Sequence, residues 1–193
     1  MTPTEQYEFK PLNLELWPDF ERLFGPRGAC AGCWCRWWRV RAKEFNRDKG
    51  ELNRQAMREL VEAGVVPGIL AYAGGRAVGW CSVGPRGEFS RFDTSRTLKP
   101  LDGTPVWSIV CLFIEKEYRR RGLAVELIRA AVRFARSRGA AVVEGYPTIP
   151  RGGKSPDTFA YMGLPQMFSR AGFREMLRPT PARAIMRCYP EES

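Results

Sequence analysis

The spacing of apolar residues along the chain changes between two periods, and the change predicts a succession of strands and helices. Apolar residues that recur every three or four positions indicate amphipathic helices, whereas short apolar runs bounded by Gly or Pro indicate strands. The predicted strands cover residues 7–12, 66–73, 76–83, 106–114, 141–146, 173–177 and 182–189. The predicted helices cover residues 14–24, a segment that ends before Gly64, residues 122–138 and residues 164–171.

The second of these helices has a recognisable apolar face. Leu52, Ala56, Leu60 and Val61 share one side of a helical projection, so we expect them to face the core. Gly64 is expected to end the helix, because glycine readily takes the left-handed conformation found at helix C-termini.

Two features predict how the strands are arranged. Gly74 and Gly75 separate two strands in a way that is typical of a tight antiparallel hairpin. The nearly all-apolar run 106–114 indicates a central strand covered on both faces, and the helix 122–138 leads from it into another apolar strand. The order strand, helix, strand favours a right-handed parallel crossover. We therefore expect an α/β (α+β) fold in one domain over residues 1–193.

Composition narrows the class of protein. Of the 193 residues, 44% are hydrophobic, which is enough apolar material for a core. The 31 Lys and Arg against 21 Asp and Glu give a formal net charge of +10, which favours an anionic partner. No segment approaches the ~20 apolar residues of a membrane span, so we expect a cytoplasmic protein without a membrane partner. Histidine is absent, which leaves carboxylates, tyrosines, thiols, water and backbone amides for chemistry.

A basic turn lies between the central strand and the helix 122–138. Arg119, Arg120 and Arg121 supply positive charge, Gly122 allows close backbone approach, and Ala124 is too small to block a ligand. A turn that enters a helix directs backbone N–H groups and the positive end of the helix dipole at one spot. The turn is therefore predicted to bind an anion, although three arginines before a helix can also form a solvated basic cluster.

The surrounding sequence, FIEKEYRRRGLA over 113–124, resembles the acetyl-CoA motif of the GCN5-related N-acetyltransferases, the GNAT family. In the family pattern, Arg/Gln-x-x-Gly-x-Gly/Ala, the fixed positions are occupied here by Arg119, Gly122 and Ala124. The order of predicted elements matches the family over nearly the whole chain. The resemblance implies a mixed, mostly antiparallel sheet of six to seven strands flanked by about four helices, with a splayed parallel pair of strands at the cofactor site.

The resemblance also implies the cosubstrate and the contacts that hold it. Acetyl-CoA would place its pyrophosphate beside Arg119, on the backbone amides of Arg120, Arg121, Gly122, Leu123 and Ala124. Its pantetheine arm would pair with the main chain of Cys111, Leu112 and Phe113 as an added strand does. The acetyl group would pass to a primary amine of a small molecule or peptide by direct attack on the thioester. A homodimer is compatible with the sequence, and nucleic acid is not an expected partner.

The acid that protonates the departing thiolate is left open by the sequence. Many family members carry a tyrosine in a pattern like Leu-Tyr-x-x-x-Gly-Phe, and Phe168 stands at that place here. Either Tyr161, Ser169, Tyr146 or water takes this role, or the thiolate leaves without a dedicated acid.

A positioned carboxylate or a water relay is expected to deprotonate the amine. Glu144 is the first candidate, because an ionisable residue in an apolar strand is costly unless it is used or exposed. An ordinary solvent-facing strand position is the competing interpretation of Glu144. Glu115 is the second candidate, and Asp157 is the third.

The segment 27–41 is crowded with cysteine and tryptophan. Cys30, Cys33 and Cys35 include a Cys-x-x-Cys spacing, which is half of a zinc site. We expect buried thiols without a metal, with a structural metal or a disulfide as alternatives. The other cysteines, which would have to complete a metal site, are Cys81, Cys111 and Cys188.

The tryptophans of this segment are Trp34, Trp37 and Trp38. Clustered aromatic side chains commonly cover a core. Since the corresponding segment of related enzymes borders the acceptor, we also hypothesise an aromatic, arginine-rimmed acceptor pocket.

Two other functions remain compatible with the sequence. Phe168 is consistent with a cofactor-binding sensor of the same fold that does not catalyse transfer. The net charge and the aromatic residues between Cys33 and Arg41 are consistent with a basic nucleic-acid-binding module, although no recognised nucleic-acid motif is present.

Overall fold

A computed structural model describes residues 6–150 and 161–189 of the chain. These residues form a mixed sheet of seven strands in the order β1-β2-β3-β4-β5-β7-β6. Every neighbouring pair is antiparallel except β4 and β5, which are parallel. The strands are β1 (Tyr7–Pro11), β2 (Gly68–Ala73), β3 (Arg76–Pro85), β4 (Trp107–Ile114), β5 (Val143–Gly145), β6 (Arg174–Thr180) and β7 (Arg183–Cys188).

Helices cover both faces of this sheet. Residues of β2 alternate between the two faces, with Leu70 packing in the cluster that contains α1 and α3, and Ile69 packing in the cluster that contains α4 and α5. The helices of the described residues are α1 (Trp17–Phe24), α2 (Ala42–Arg47), α3 (Glu51–Glu62), α4 (Leu123–Ser137) and α5 (Pro165–Arg170).

The main core lies between α4 and the sheet. Leu127, Ile128 and Ala131 of α4 are fully buried, while Arg129 and Arg133 on its opposite side are exposed. This distribution follows the predicted apolar face of the helix. The helix connects β4 to the parallel strand β5, as the sequence predicts.

The predicted buried face of α3 is wrong in part. Leu52 is 53% exposed, and the residues that face the core are instead Asn53, Met57 and Val61. The reason is a polar contact, since the Asn53 side-chain amide donates a hydrogen bond to the carbonyl of Gly32 (3.0 Å) in the cysteine-rich segment. This contact accompanies the burial of Asn53, while Leu52 is exposed.

Two further local predictions differ from the structure. The segment 27–41 and the residues after it contain an irregular turn over Gly28–Gly32, in which Ala29, Cys30 and Ala31 have non-helical dihedrals, and the short helix α2, neither of which the sequence predicts. The strand predicted over 141–146 is shorter in the structure, because β5 pairs with β4 only from Trp107↔Val143 to Ile109↔Gly145.

Beyond this pairing, the sheet divides into two parts. β4 continues alongside β3 as far as Gly79↔Ile114. The chain after β5 follows β7 instead, since Ile149 N–H donates to the carbonyl of Ala182 (2.9 Å). The fold and its splayed parallel pair confirm the fold class predicted from the sequence.

The side chain of Phe168 packs against Gly145 at the point where the strands separate. A Cβ on Gly145 would overlap the Phe168 ring. Gly145→Ala is therefore expected to lower the free energy of unfolding by about 1–3 kcal/mol, measured by urea denaturation. Gly103→Ala is the control, because a Cβ there meets no atom within 4 Å, and it should change the value by less than about 0.5 kcal/mol. Equal effects of the two substitutions would contradict this packing.

Candidate functional site

The turn before α4 is shaped by two residues in the left-handed region. Arg120 has φ 61° and Gly122, the N-cap of α4, has φ 86°. Arg119 is fixed to the preceding strand, because its Nε–H donates to the carbonyl of Ile114 (2.9 Å). The turn thus presents the N-terminus of a 15-residue helix next to the end of β4.

A cavity of about 1210 Å³ begins at this turn and extends along β4. Arg119, Arg120, Gly122 and Ala124 form one end of its lining. Two other predicted members of the turn lie elsewhere, since Leu123 is buried in the core and the Arg121 guanidinium lies over the Tyr118 ring (5.6 Å). The sequence predicts that the backbone amides of this turn bind pyrophosphate, and the turn lies at this end of the cavity.

The middle of the cavity is lined by Cys111, Leu112 and Phe113 of β4. These residues follow Ile109, the last residue of β4 that pairs with β5. The strand therefore offers an edge on the side from which β5 has departed, as required for an extended ligand that adds to the sheet.

These features fit acetyl-CoA. A side chain is absent at Gly122, where a Cβ would meet no atom within 4 Å, so the approach to the helix N-terminus is open. Arg119 and Arg120 supply positive charge at that end of the cavity, and an open strand edge lines its middle. The volume of the cavity exceeds the upper range of about 1,000 Å³ for common ligand pockets.

The far end of the cavity is formed by the cysteine-rich segment and the residues that pack on it. Trp37, Trp38 and Phe45 supply aromatic surface there. The Arg91 guanidinium stacks over the Trp37 ring at 3.5 Å, which holds the ring in place. Trp34 has another role, because it is buried in the core and stacks on Phe24 with ring centroids 5.8 Å apart.

Tyr161 also lines the cavity. Burial raises the pKa of its phenol, so the hydroxyl stays protonated at neutral pH and can donate a hydrogen bond or a proton. Phe168, by contrast, is fully buried beside Phe173 and is not part of the lining. Ser169 is exposed on α5 and also lies outside the lining.

Glu144 lies in a buried ion pair beside the cavity. The carboxylate is 2% exposed and accepts a hydrogen bond from Arg187 Nε (2.8 Å) and another from the Tyr146 hydroxyl (2.7 Å). The interpretation of Glu144 as a solvent-facing strand residue is wrong. Neither Glu144 nor Tyr146 belongs to the described lining of the cavity.

Other polar groups extend this network. Arg187 also donates two hydrogen bonds to Asp102 (2.6 and 3.1 Å), which lower the pKa of the Asp102 carboxyl. The Tyr146 hydroxyl accepts from Arg86 (2.8 Å), and burial raises the pKa of that phenol. A hydrogen bond of 2.8 Å joins the Tyr146 hydroxyl to Ser108 of β4. The network thus connects β4, β5 and β7 just before the strands separate.

The two remaining carboxylate candidates are not in this network. Glu115 forms an ion pair with Arg76 (2.6 Å) on the edge of the turn before α4. Asp157 lies outside the described residues.

The six cysteines are all free thiols. Cys30, Cys33, Cys35 and Cys111 line the cavity. Within residues 6–150 and 161–189, no group of three or more His, Cys, Asp or Glu side chains is arranged to hold a metal ion.

Cys35 has an unusual environment among these thiols. The indole N–H of Trp80 donates to its sulfur at 3.1 Å. A hydrogen bond from Cys111 is the main factor that lowers the pKa of Cys35 to about 7, and the bond from Trp80 acts in the same direction against the effect of burial. Burial raises the pKa of the neighbouring Cys33 to about 11.

A family model described as the acetyltransferase (GNAT) family matches residues 33–146. The chain belongs to this family. Acetyl-CoA is the usual cosubstrate of GNAT acetyltransferases, and acetyl transfer from it is their general reaction. The resemblance that the sequence shows over 113–124 is thereby confirmed. A search of curated proteins returned no match.

Solved structures show the same fold at low sequence identity. A GNAT acetyltransferase from Streptococcus agalactiae aligns with a TM-score of 0.56 and 11% identity over 95% of both chains. The PaiA N-acetyltransferase from Thermoplasma acidophilum, in complex with coenzyme A, aligns with a TM-score of 0.52 and 12% identity over 95% of this chain and 99% of that one. The NatC complex bound to Gag peptide and CoA aligns with a TM-score of 0.51 and 12% identity over 95% of this chain and 98% of that one.

Among the described residues, none of the helices is both long and apolar enough to cross a bilayer.

Sequence reasoning missed several residues that shape the site. In the sequence, Trp80 is one of several apolar residues of β3. The apolar pattern does not indicate that its indole N–H bonds a thiol 45 residues away. Arg187 and Asp102 are 85 residues apart and carry no local signal of pairing. The one usable signal was the charge of Glu144 in an apolar strand, which implied an opposite charge nearby.

The ion pair of Glu144 has a measurable consequence for stability. Glu144→Gln keeps the side-chain shape but leaves the buried Arg187 with only one carboxylate partner, so we expect a loss of about 3 kcal/mol in the free energy of unfolding. The exposed pair of Glu175 with Arg178 (2.8 Å) provides the control, and Glu175→Gln should cost less than about 0.5 kcal/mol. Urea denaturation at neutral pH measures both. Equal losses would show that burial of the Glu144 pair has no special weight.

Proposed function

We propose that this protein transfers the acetyl group of acetyl-CoA to a primary amine of a small molecule or peptide. The observation that carries the proposal is the continuous cavity from the turn before α4, along the open edge of β4, to the aromatic end at Trp37 and Trp38. Starting from the protonated amine, the net reaction forms the acetylated amine and free CoA and releases one proton, which the amine loses before it attacks.

The basic end of the cavity suits the pyrophosphate of acetyl-CoA. Arg119 and Arg120 stand there as countercharges, and the backbone amides of 120–124 supply hydrogen-bond donors at a helix N-terminus. The main chain of Cys111, Leu112 and Phe113 would pair with the pantetheine arm. The thioester would then lie near the middle of the cavity, whose lining also includes Tyr161.

Tyr161 is our candidate for the acid. Since burial raises the pKa of its phenol, it carries a proton that a departing thiolate can accept. For Glu144 and Tyr146 we propose a positioning role, because their contacts hold β5 against β4 where the splay begins. The free amine can attack the thioester directly, or it can receive the acetyl group through a side chain of the cavity.

The aromatic end of the cavity suits the acceptor. The faces of Trp37, Trp38 and Phe45 can enclose an aliphatic or aromatic body, and a protonated amine is attracted to such faces. The PaiA and NatC structures, which are similar in fold, are described with coenzyme A, and NatC also with a peptide. They support an amine acceptor.

Cofactor binding can be tested at two glycines of the same helix. Gly122 and Gly139 flank α4 with φ of 86° and 85°, and a Cβ at either meets no atom within 4 Å. Gly122→Trp should weaken acetyl-CoA binding by more than about tenfold, or ~1.4 kcal/mol, in titration calorimetry, because the indole would fill the approach to the helix N-terminus. Gly139→Trp introduces the same backbone strain at the other end, so it should leave the affinity unchanged. Equal weakening in both variants would contradict the assigned site.

Acetyl transfer can be tested by a thiol-release screen with acetyl-CoA and a panel of small amines, amino acids and peptides. For any amine that is acetylated, Trp37→Ala should raise KM for the amine by about tenfold while the affinity for acetyl-CoA stays unchanged, since the ring faces the acceptor end. An unchanged KM for the amine would contradict the acceptor pocket. Tight binding of acetyl-CoA with background release for every amine would instead favour a sensor of the same fold.

A further inference from the structure

Two thiols from different parts of the chain meet inside the cavity. Cys35 comes from the cysteine-rich segment, and Cys111 comes from the part of β4 that is open to the ligand. The hydrogen bond between them lowers the pKa of Cys35 and raises that of Cys111 well above its ordinary value. Within this pair, the deprotonated form is favoured at Cys35 rather than at Cys111.

A donor from the sheet and a nearby cation both lower the pKa of Cys35. The Trp80 indole N–H lies 3.1 Å from the Cys35 sulfur, and the positive charge of Arg39 favours the thiolate further. Cys33 lines the same cavity, but burial dominates its environment and favours its neutral form. Cys35 therefore combines a lowered thiol pKa with a place in the lining of the cavity.

The backbone is strained where it presents Cys35. Trp34 has φ 44° and Cys35 has φ 58°, and two adjacent non-glycine residues in this region are costly. The packing of Trp34 in the core, against Phe20 and Phe24, holds the turn in this conformation. The strained turn brings the sulfur of Cys35 back to the sheet at Trp80 and Cys111.

We propose that Cys35 is a catalytic nucleophile that carries the acetyl group from acetyl-CoA to the amine. This inference rests on the proposed function and adds a covalent step to it. The Cys35 thiolate attacks the thioester carbonyl, a new bond forms between its sulfur and the acetyl carbon, and the bond to the sulfur of CoA breaks. The CoA thiolate takes a proton from Tyr161, which regains one from water.

In the second step, the neutral amine attacks the acetyl carbon on Cys35. The carbon–sulfur bond breaks, the Cys35 thiolate is restored, and the amine loses one proton to water. The Trp80 N–H stabilises the departing thiolate in this step as it stabilises the attacking thiolate in the first. Cys35 contacts Cys111 on the side of the pantetheine and shares the lining with Trp37 and Trp38, so it lies between the proposed donor and acceptor ends.

The covalent step can be tested on the unmodified protein without an acceptor. After incubation with acetyl-CoA, intact mass spectrometry should show the mass of one added acetyl group, together with one equivalent of free CoA thiol. Peptide mapping should place the group on Cys35, and addition of an amine should remove it. Cys35→Ala should abolish the adduct. Cys30→Ser should retain it, because Cys30 is an exposed thiol of the same segment.

A second variant separates the activated thiol from chance acetylation. The rate of adduct formation should rise with pH through a midpoint near the Cys35 pKa of about 7, because the thiolate is the reactive form. Trp80→Phe removes the N–H donor but keeps an aromatic ring, so it should move the midpoint to higher pH in protein that is shown by circular dichroism to be folded.

The possible outcomes distinguish this inference from the proposed function. Acetylation of Cys35 with the expected pH profile supports the covalent step. An adduct on another residue, or one that forms as fast in guanidinium-unfolded protein, overturns it. Binding of acetyl-CoA and transfer to amines without an adduct also overturns it, while the proposed function stands. Failure of acetyl-CoA to bind in calorimetry overturns both.

Discussion

The end of parallel pairing between β4 and β5 is the constraint on which the site depends. Up to Ile109↔Gly145 the two strands form one sheet, and beyond it β4 continues beside β3 while the chain after β5 follows β7. Phe168 fills the angle between the two parts. A Cβ on Gly145 would overlap its ring, and one on Gly163 would lie 2.8 Å from the same ring and 3.2 Å from Leu112. Because both glycines lack a side chain, the Phe168 ring fits between the two parts of the sheet and leaves the edge of β4 unpaired.

The packing of Phe168 alone does not determine the residue at which β4 and β5 separate. Glu144 and Arg187 place a buried ion pair immediately before it, and the Tyr146 hydroxyl connects that pair to Ser108 across the β4–β5 junction. A buried pair adds little net stability compared with apolar packing, but its hydrogen bonds are directional, so a shift in register would leave charges unpaired. The strands are thus held together up to one residue and forced apart after it, and the same arrangement explains why a charged residue belongs in an apolar strand.

Sequence alone predicts the parts of this arrangement that depend on local periodicity. The apolar stripe of α4, the turn that contains Gly122 and the all-apolar run of β4 are each set by neighbouring residues. The GNAT resemblance rests on the motif over 113–124, and the order of the elements agrees with it. The parts it misses depend on contacts between distant segments. Asn53 replaces Leu52 on the buried face of α3 because of a carbonyl at Gly32, and Phe168 is a core residue because of a glycine in β5. No local pattern carries such information.

The cysteine-rich segment shows how far a site can depart from local preference. Ala29, Ala31, Trp34 and Cys35 all have positive φ, a conformation that each of them disfavours in isolation. The cost is offset by packing, since Trp34 is buried between α1 and the sheet and the Asn53 amide bonds the Gly32 carbonyl. The packing of Trp34 and the hydrogen bond of Asn53 therefore hold a strained turn whose end lines the cavity beside β4. That edge is unpaired only where β5 has separated from β4. The access of Cys35 to a ligand on this edge therefore depends on the splay of the sheet.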